Sequence, residues 1–394
     1  MSETLQNDYS YLMNTYRPLP IELVRGEGAY VWDVTGRRYL DFVAGIAVNN
    51  LGHCHPAVVD AVRRQAETLI HVSNLYRIPV QAELAALLCD HSFAKTCFFC
   101  NSGAEAVEAA IKLARRYGLK TKGADASGIV TAKGSFHGRT MAAMTATGQE
   151  RIHAGFGPLV PGFTHVPFGD AAALEEAVGE DTAAVILEPI QGESGVVTPP
   201  VGYLAQVRGI CDREGALLIF DEIQTGMGRT GTLFAYERFG IEPDVMVLAK
   251  GLAGGLPMGA CLAGERAASV FEPGSHASTF GGNPLVSAAA CAALGATLSD
   301  GVLENCVTMG EYFMGELRRI ADTTDLINEV RGVGLMIGVV LERGGPEAVD
   351  AFFERDILVN CTAERVLRFL PPLIVTKKEV DTVISAFEDI IKEL

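Results

Sequence analysis

Four apolar runs in the middle of the sequence end in residues that could take part in chemistry. The runs AVILE and LLIFD end in the carboxylates Glu188 and Asp221, VMVLAK ends in Lys250, and CFFCNSG ends at Ser102-Gly103. Short apolar runs of this kind are typical of buried parallel strands, and ligands bind at the carboxyl ends of such strands. We therefore expect two acids, a lysine and a glycine-containing turn to meet in one site.

Lys250 is the candidate nucleophile of this site. It follows a nearly unbroken apolar run and precedes Gly251 and the pair Gly254-Gly255. A lysine that loses contact with water has a lowered pKa and can form a Schiff base with an aldehyde cofactor. The alternative interpretation is a surface lysine in a glycine-rich loop, and the residues alone leave it open.

Asp221 is the candidate partner of a cation. At the end of a strongly apolar strand, a bare carboxylate would lose its hydration at a high cost in free energy. A protonated pyridine nitrogen would offset that cost, and a carboxylate at this position keeps such a ring an electron sink. An ion pair with an arginine is the structural alternative.

The segment from Asn101 to Ala104 is the candidate phosphate site. Ser102 is a good helix N-cap, and Gly103 allows a ligand to approach the backbone. A helix start offers free N–H groups and the positive end of the helix dipole to a phosphate. The segment is equally compatible with an ordinary N-cap that binds nothing.

Composition and charge exclude several classes of function. The net charge is −16, which disfavours binding to nucleic acid or to an anionic membrane. The longest nearly apolar run, Gly332 to Leu341, is shorter than the roughly 18 residues of a membrane helix. Glu3 and Asp8 precede the first basic residue, so we expect no signal peptide. The nine scattered cysteines indicate reduced thiols and a cytoplasmic protein.

Three further motifs are interpreted as structural. The segment 226–231, GMGRTG, matches a dinucleotide-binding fingerprint, but no acidic residue follows at the required distance. His53-Cys54-His55 lacks further ligands for a metal, so we predict no metal site. Cys97 and Cys100 have redox spacing but lie inside a predicted strand.

The alternation of short strands with helical patterns predicts an α/β fold with a mainly parallel sheet. We expect a large α/β domain at residues 56–285 and a smaller α+β domain formed by residues 1–55 and 286–394. A hairpin is predicted at Tyr30–Asp33 and Tyr39–Phe42, and an amphipathic helix near the C-terminus. The predicted central strands are Cys97–Cys100, Gly128–Thr131, Thr164–Pro167, Ala184–Glu188, Ala216–Asp221 and Val245–Ala249.

Taken together, these residues resemble the class III branch of the fold-type I aminotransferases, which use pyridoxal 5'-phosphate. The resemblance runs from about Asp33 to the C-terminus and implies a seven-stranded, mostly parallel sheet in the large domain. The matching segments, in chain order, are AGIAVNNLGHCHP, NSGAEA, FHGRT, EPIQGESG, FDEIQTGMGRTG, LAKGLAGGLPMGA and STFGGNPL.

The resemblance implies roles for the residues around the cofactor. Lys250 would bind the cofactor covalently and move the substrate proton, and Asp221 would hold the pyridine nitrogen protonated. The other residues implied to bind the cofactor are Ser102, Gly103, Ala104, Phe136, Glu222, Ile223, Gln224 and Thr279. Thr279 would reach the phosphate from a neighbouring subunit, which implies a homodimer. Many relatives carry threonine in place of Ala104, so one hydroxyl contact to the phosphate would be absent here.

The resemblance also implies how two substrates are recognised. Arg139 and Ser278 would bind the carboxylate of the amino donor, and Arg368 the α-carboxylate of 2-oxoglutarate. Glu193 would cover Arg368 while the donor reacts. Ornithine-specific relatives use an N-terminal tyrosine that has no counterpart near Val48.

Within the family, the likeness to the acetylornithine branch is greatest. It implies transfer of the terminal amino group of N-acetylornithine to 2-oxoglutarate, with glutamate as a product, in arginine biosynthesis. Succinylornithine, succinyldiaminopimelate, 4-aminobutyrate and carrier-linked lysine are alternative donors. A mutase or decarboxylase on the same scaffold is a further alternative, although such an enzyme would not need the Glu193–Arg368 pair. A nicotinamide-dependent dehydrogenase would keep its activity without Lys250.

Overall fold

The computed structural model describes residues 9–394. The residues that precede this range, including Glu3 and Asp8 of the signal-peptide expectation, lie outside the described residues. After a short 3-10 helix, Tyr9–Tyr11, the chain forms three strands and a single helical turn. These are β1 (Leu23–Glu27), β2 (Tyr30–Asp33), β3 (Arg38–Asp41) and α1 (Ala44–Ala47). The predicted hairpin is present as the antiparallel pair β2–β3.

The central part of the chain contains one seven-stranded sheet and the helices that flank it. The first two helices are α2 (Pro56–Thr68) and α3 (Pro79–Asp90). The strands are β4 (Thr96–Cys100), β5 (Gly128–Ala132), β6 (Phe163–Val166), β7 (Thr182–Leu187), β8 (Leu217–Asp221), β9 (Val245–Leu248) and β10 (Gly259–Ala263). The intervening helices are α4 (Gly103–Thr121), α5 (Met141–Ala146), α6 (Glu150–His153), α7 (Ala171–Ala177), α8 (Tyr203–Glu214) and α9 (Ala235–Phe239).

The strands of this sheet lie in the order β4-β10-β9-β8-β7-β5-β6. Only β10 is antiparallel to its neighbours, β4 and β9, and the other pairs are parallel. The fold is therefore α/β with a mostly parallel sheet of seven strands, as predicted. Six of the strands were predicted individually, and β10 was missed. Its sequence, GACLA, has no β-branched or aromatic residue, so it carries little strand signal.

Apolar side chains cover both faces of the sheet. Along β8, Leu217 and Ile219 pack into the cluster that contains α4, whereas Leu218 and Phe220 pack into the cluster that contains α8. This follows from the alternation of side chains along a strand. With both faces buried, polar groups of the sheet are left to gather at the ends of its strands.

The C-terminal part packs against the N-terminal hairpin. Its elements are α10 (Pro284–Ser299), α11 (Val302–Ala321), β11 (Ile327–Val333), β12 (Met336–Leu341), α12 (Gly345–Glu354), β13 (Ile357–Leu358), β14 (Asn360–Thr362), β15 (Val366–Phe369) and α13 (Lys377–Glu393). Strand β13 pairs in parallel with β3, and α13 buries its predicted apolar face. The division into two domains stays a prediction.

Within residues 9–394, no single helix is long and apolar enough to cross a membrane. Only α10 and α11, taken together across a bend of 63°, pass such a test of length and composition.

Candidate active site

A cavity of about 420 Å³ opens at the carboxyl edge of the large sheet. It collects side chains that follow β4, β5, β7, β8 and β9 in the sequence. Ten of the predicted site residues line it: Ser102, Gly103, Ala104, Phe136, Arg139, Glu193, Asp221, Ile223, Gln224 and Lys250. The ends of five strands, separated widely in the sequence, thus meet as the strand-end argument predicts.

The start of α4 forms one wall of the cavity. Ser102 is its N-cap, in an extended conformation, and the Ser102 hydroxyl accepts a hydrogen bond from the Glu105 N–H at 3.3 Å. The N–H groups of Gly103 and Ala104 lie in the first helical turn, where no partner within the helix exists. A Cβ atom on Gly103 would come within 2.8 Å of the Ile223 side chain, so a larger residue would displace that wall. This geometry suits a phosphate group.

Asp221 is buried at the end of β8 and is held by two donors. Its Oδ1 accepts the Ile223 N–H at 3.1 Å, and its Oδ2 lies 2.7 Å from His137 Nδ1. Burial opposes the charged form of His137, but the hydrogen bond and negative charge of Asp221 outweigh it and raise its pKa. His137 Nε2 is buried without a hydrogen-bond partner in the described part of the chain. The Asp221 carboxylate is therefore fixed in orientation by two partners.

Glu188 connects two loops of the cavity wall. Its carboxylate accepts N–H groups from Phe136, at 3.0 Å, and from Gly192, at 3.2 Å. Burial raises the pKa of Glu188 to about 7. Glu188 thus ties the loop that carries Phe136 to the loop that carries Glu193.

Lys250 begins a 3-10 helix, Lys250–Ala253, directly after β9. Its φ of 44° lies in the left-handed region, which is strained for a residue other than glycine. Burial, and then the nearby charge of Arg368, lower the pKa of Lys250 to about 8. Among residues 9–394, no hydrogen bond restrains its Nζ atom. A substantial neutral, nucleophilic fraction is therefore available near neutral pH.

Arg368 lies behind Glu193 rather than at the cavity surface. Only 1% of its side chain is exposed, and its Nη1 donates to Glu193 Oε1 at 2.7 Å and to Gln224 Oε1 at 3.3 Å. Burial disfavours the charged form of Glu193, but the charge and hydrogen bond of Arg368 outweigh this effect, so the pKa of Glu193 is lowered. The two residues therefore form an ion pair, with Glu193 on the cavity side.

Arg139 lies at the cavity mouth, exposed, directly before α5. Glu108 of α4 holds this loop, because its Oε1 accepts the Thr140 hydroxyl at 2.6 Å and the N–H groups of Ala142 and Ala143 at 3.0 and 3.2 Å. The Glu108 carboxylate thus links α4, whose first turn forms one wall of the cavity, to the loop that carries Arg139.

Four predicted site residues do not line the cavity of this chain: Arg368, described above, and Glu222, Ser278 and Thr279. Glu222 faces the opposite way, and its carboxylate accepts the N–H groups of Ala235 and Tyr236 at 2.6 and 2.8 Å. These contacts indicate a structural role for Glu222. Ser278 reaches the cavity edge only through the Asn101 amide, at 3.3 Å, and Thr279 is exposed.

One functional candidate, His137, was missed in the sequence, and a second, Asn101, was named there only as part of a segment. His137 directly follows Phe136 in the FHGRT segment, but nothing in the local sequence indicates that its partner is Asp221. Asn101 lines the cavity and donates to Glu105 Oε2 at 2.8 Å. Asn101 was included in the candidate phosphate segment but was assigned no role of its own.

A buried lysine with a lowered pKa, a buried carboxylate and a helix start meet around one cavity, an arrangement that suits a transferase site of the pyridoxal-phosphate type. Residues 11–391 match the family model described as class III aminotransferase. The chain belongs to the class III aminotransferases.

Individual relatives agree with this assignment. The acetylornithine aminotransferase of Caldanaerobacter subterraneus subsp. tengcongensis is 52% identical over 98% of both chains. Among solved structures, the ornithine aminotransferase of Toxoplasma gondii is 34% identical, with a TM-score of 0.94, over 98% of this chain and 94% of that one. The acetylornithine aminotransferase of Elizabethkingia anophelis is also 34% identical, with a TM-score of 0.88, over 98% and 97%.

The residues present fit pyridoxal 5'-phosphate, on which the enzyme depends. The first turn of α4 would offer N–H donors to its phosphate, Asp221 a fixed carboxylate to its ring nitrogen, and Lys250 an amine to its aldehyde. Phe136 and Ile223 line the cavity and would supply apolar surface for its ring.

Proposed function

We propose that the protein transfers the terminal amino group of N2-acetyl-L-ornithine to 2-oxoglutarate, giving N-acetyl-L-glutamate 5-semialdehyde and L-glutamate. This is a step of arginine biosynthesis. The observation that carries the proposal is the closed Glu193–Arg368 ion pair, with its 2.7 Å contact. A donor that enters by its terminal amine leaves this pair intact, whereas a 2-oxo acid needs Arg368 free to bind its α-carboxylate. The name of the 52% identical relative supports the same donor.

The residues of the chain divide the work of this reaction. When bound, the cofactor supplies an electron-withdrawing ring that stabilises negative charge on the reacting carbon of the substrate. Asp221, oriented by His137, would hold a positive charge at the ring nitrogen. Lys250 Nζ would take a proton from the substrate carbon and return one, for which a pKa near 8 is well suited. Arg139 would bind the α-carboxylate of the donor.

Free ornithine is the second candidate donor, because the Toxoplasma gondii ornithine aminotransferase has a TM-score of 0.94. Free ornithine carries a charged α-ammonium group, whereas the acetylated donor carries a neutral amide. Val48 lines the cavity with an apolar side chain. An apolar wall suits an acetyl group better than an ammonium group.

The first test is a spectral titration of the purified holoenzyme without a keto acid. Addition of N-acetylornithine should remove the visible absorption band of the bound cofactor, and 2-oxoglutarate should restore it. Ornithine, succinylornithine and 4-aminobutyrate serve as comparison donors. If N-acetylornithine leaves the band unchanged but one of these amines removes it, the donor assignment is wrong and the assignment to the class III aminotransferases is unaffected.

We also propose that the active form is a homodimer in the cytoplasm. Leu75 and Tyr76 are 83% and 69% exposed, and Phe280, next to Thr279, is 58% exposed. The two segments touch, because the Asn74 amide donates to the Ser278 carbonyl at 3.0 Å. Large exposed apolar side chains on two adjoining segments are typical of an interface. All nine cysteines are free thiols, which suits a reducing compartment.

The shared site can be tested by mixing two inactive variants. Lys250→Ala removes the nucleophile, and Thr279→Asp would repel the phosphate. In a heterodimer, one site would combine an intact Lys250 with an intact Thr279 from the partner. After subunit exchange, about a quarter of the sites should be active. No recovery from verified heterodimers would place both residues in the same subunit's site.

A further inference from the structure

A second cavity lies on the other side of Glu193. Its volume is about 620 Å³, and Glu193 belongs to the walls of both cavities. Thr362 donates a hydrogen bond to the Glu193 carbonyl oxygen, so the backbone is held at this point. With its backbone held, Glu193 would move its carboxylate from one cavity to the other by rotation of the side chain.

Arg151 supplies the only basic side chain among the described residues that line this second cavity. Its Nε and Nη2 donate to Gln149 Oε1 at 3.1 and 3.0 Å, and no carboxylate in residues 9–394 pairs with it. Gln149 donates to the Gly134 carbonyl, which also accepts the Ser194 hydroxyl. Arg151 and the loop of Glu193 are thus anchored to the same backbone carbonyl.

The reaction requires the Glu193 carboxylate to move. Arg368 is almost completely buried, so an α-carboxylate can pair with it only after Glu193 has left. A displaced carboxylate without a cationic partner would raise the free energy of the complex with the 2-oxo acid. Asp350 and Glu364 also line the second cavity, and both are exposed, as Arg151 is. Solvent therefore screens all three charges, so the contribution of Arg151 is small and depends on salt.

We propose that Arg151 receives the Glu193 carboxylate while Arg368 binds the 2-oxo acid or glutamate. Arg151 is then a positioning residue only for the half-reaction of the 2-oxo acid or glutamate. Glu193 pairs with Arg368 in one half-reaction and with Arg151 in the other. This inference rests on the proposed two-substrate transamination. It concerns the acceptor side, so it does not depend on which amine is the donor.

The test compares the two half-reactions of the holoenzyme at low ionic strength by rapid-mixing absorbance. The variants are Arg151→Gln, Arg151→Lys and, as a matched loss of one exposed positive charge on α11, Arg318→Gln. In Arg151→Gln, the apparent affinity for 2-oxoglutarate and for glutamate should fall roughly threefold to fivefold, as expected for a partly exposed ion pair. The reaction with N-acetylornithine should not change. Arg151→Lys should restore most of the loss, and added salt should shrink it.

Two results would overturn the inference: an equal effect on both half-reactions, or no effect on either. Arg318→Gln should behave as the wild type in both. If the wild-type enzyme does not react with N-acetylornithine, the proposed donor fails. The Arg151 test remains available in that case, because glutamate drives the acceptor half-reaction in reverse.

Discussion

Replacement of Glu193 by glutamine tests the two-substrate site most directly. The change removes one negative charge but keeps the shape of the side chain and an oxygen that can accept a hydrogen bond. Arg368 would stay buried and would keep two further side-chain acceptors, Gln224 Oε1 at 3.3 Å and Asn360 Oδ1 at 3.4 Å. The variant therefore separates the effect of the Glu193 charge from the effect of the volume of its side chain.

The expected loss of stability follows from the burial of the two partners. Breaking a fully buried ion pair costs about 3–5 kcal/mol. Here Arg368 is 1% exposed but the Glu193 side chain is 29% exposed, and glutamine keeps one hydrogen bond. We therefore expect a fall of about 1–2 kcal/mol in the free energy of unfolding, close to the value of a hydrogen bond to a charged group.

The variant should favour glutamate over N-acetylornithine as the amino donor. Without an anion to displace, the α-carboxylate of glutamate reaches Arg368 more easily, and a difference of about 1.4 kcal/mol corresponds to tenfold. The ratio of kcat/KM for glutamate to kcat/KM for N-acetylornithine should thus rise about tenfold. A loss of stability with an unchanged ratio would show that the pair is only structural.

The pH dependence provides an independent check. The pKa of Glu193 is lowered from its ordinary value of 4.5, so its stabilising contribution is present above pH 4.5 and is lost as the pH falls through the lower, folded-state pKa. The stability difference between the wild type and Glu193→Gln should be constant near neutral pH and should narrow below about 4.5. Glu393→Gln, which removes an exposed partner of Arg355, is the control and should cost less than about 1 kcal/mol.

Three shorter predictions concern the rest of the site. Lys250→Ala should abolish the visible cofactor band and turnover. In the cofactor-free wild type, the rate of cofactor uptake should rise with pH around a midpoint near 8, because the neutral amine of Lys250 is the nucleophile. His137→Phe removes the hydrogen-bond partner of Asp221, so kcat should fall by about tenfold to a hundredfold and cofactor should be lost faster on dialysis. Glu108→Gln should raise KM for N-acetylornithine several-fold with little change in kcat, because Glu108 holds the loop of Arg139; an equal fall in kcat would argue against this role.

The sequence predicted the sheet and the strand ends because both depend on local patterns. Apolar runs mark buried strands, and the polar residue that closes each run marks the edge at which they meet. The role of Glu222 was predicted only by resemblance, and the structure places its carboxylate on α9 instead. Asp221 is the last residue of β8 and lines the cavity, whereas Glu222 follows the strand and turns to the N–H groups at the start of α9.

Contacts between distant residues could not be predicted in the same way. His137 and Asp221 are separated by 84 positions, and Arg368 and Glu193 by 175. No periodic pattern specifies such a pair. The second of these contacts was anticipated only because a family resemblance supplied it, and the first, which no resemblance supplied, was missed.

The glycine-rich segment 226–231 shows why a motif needs its structural context. It follows β8 through a series of turns, and at its centre Arg229 is fully buried. The Arg229 guanidinium donates to the Leu335 and Pro371 carbonyls, at 3.0 and 2.6 Å, and to Asn50 Oδ1 at 2.6 Å. Asn50 in turn lies against Gly251, where a Cβ atom would come within 2.6 Å of its amide. The buried Arg229 therefore connects the N-terminal and C-terminal parts of the chain to the turn that carries Lys250. This contact is structural, and the match of the segment to a nucleotide-binding fingerprint does not predict it.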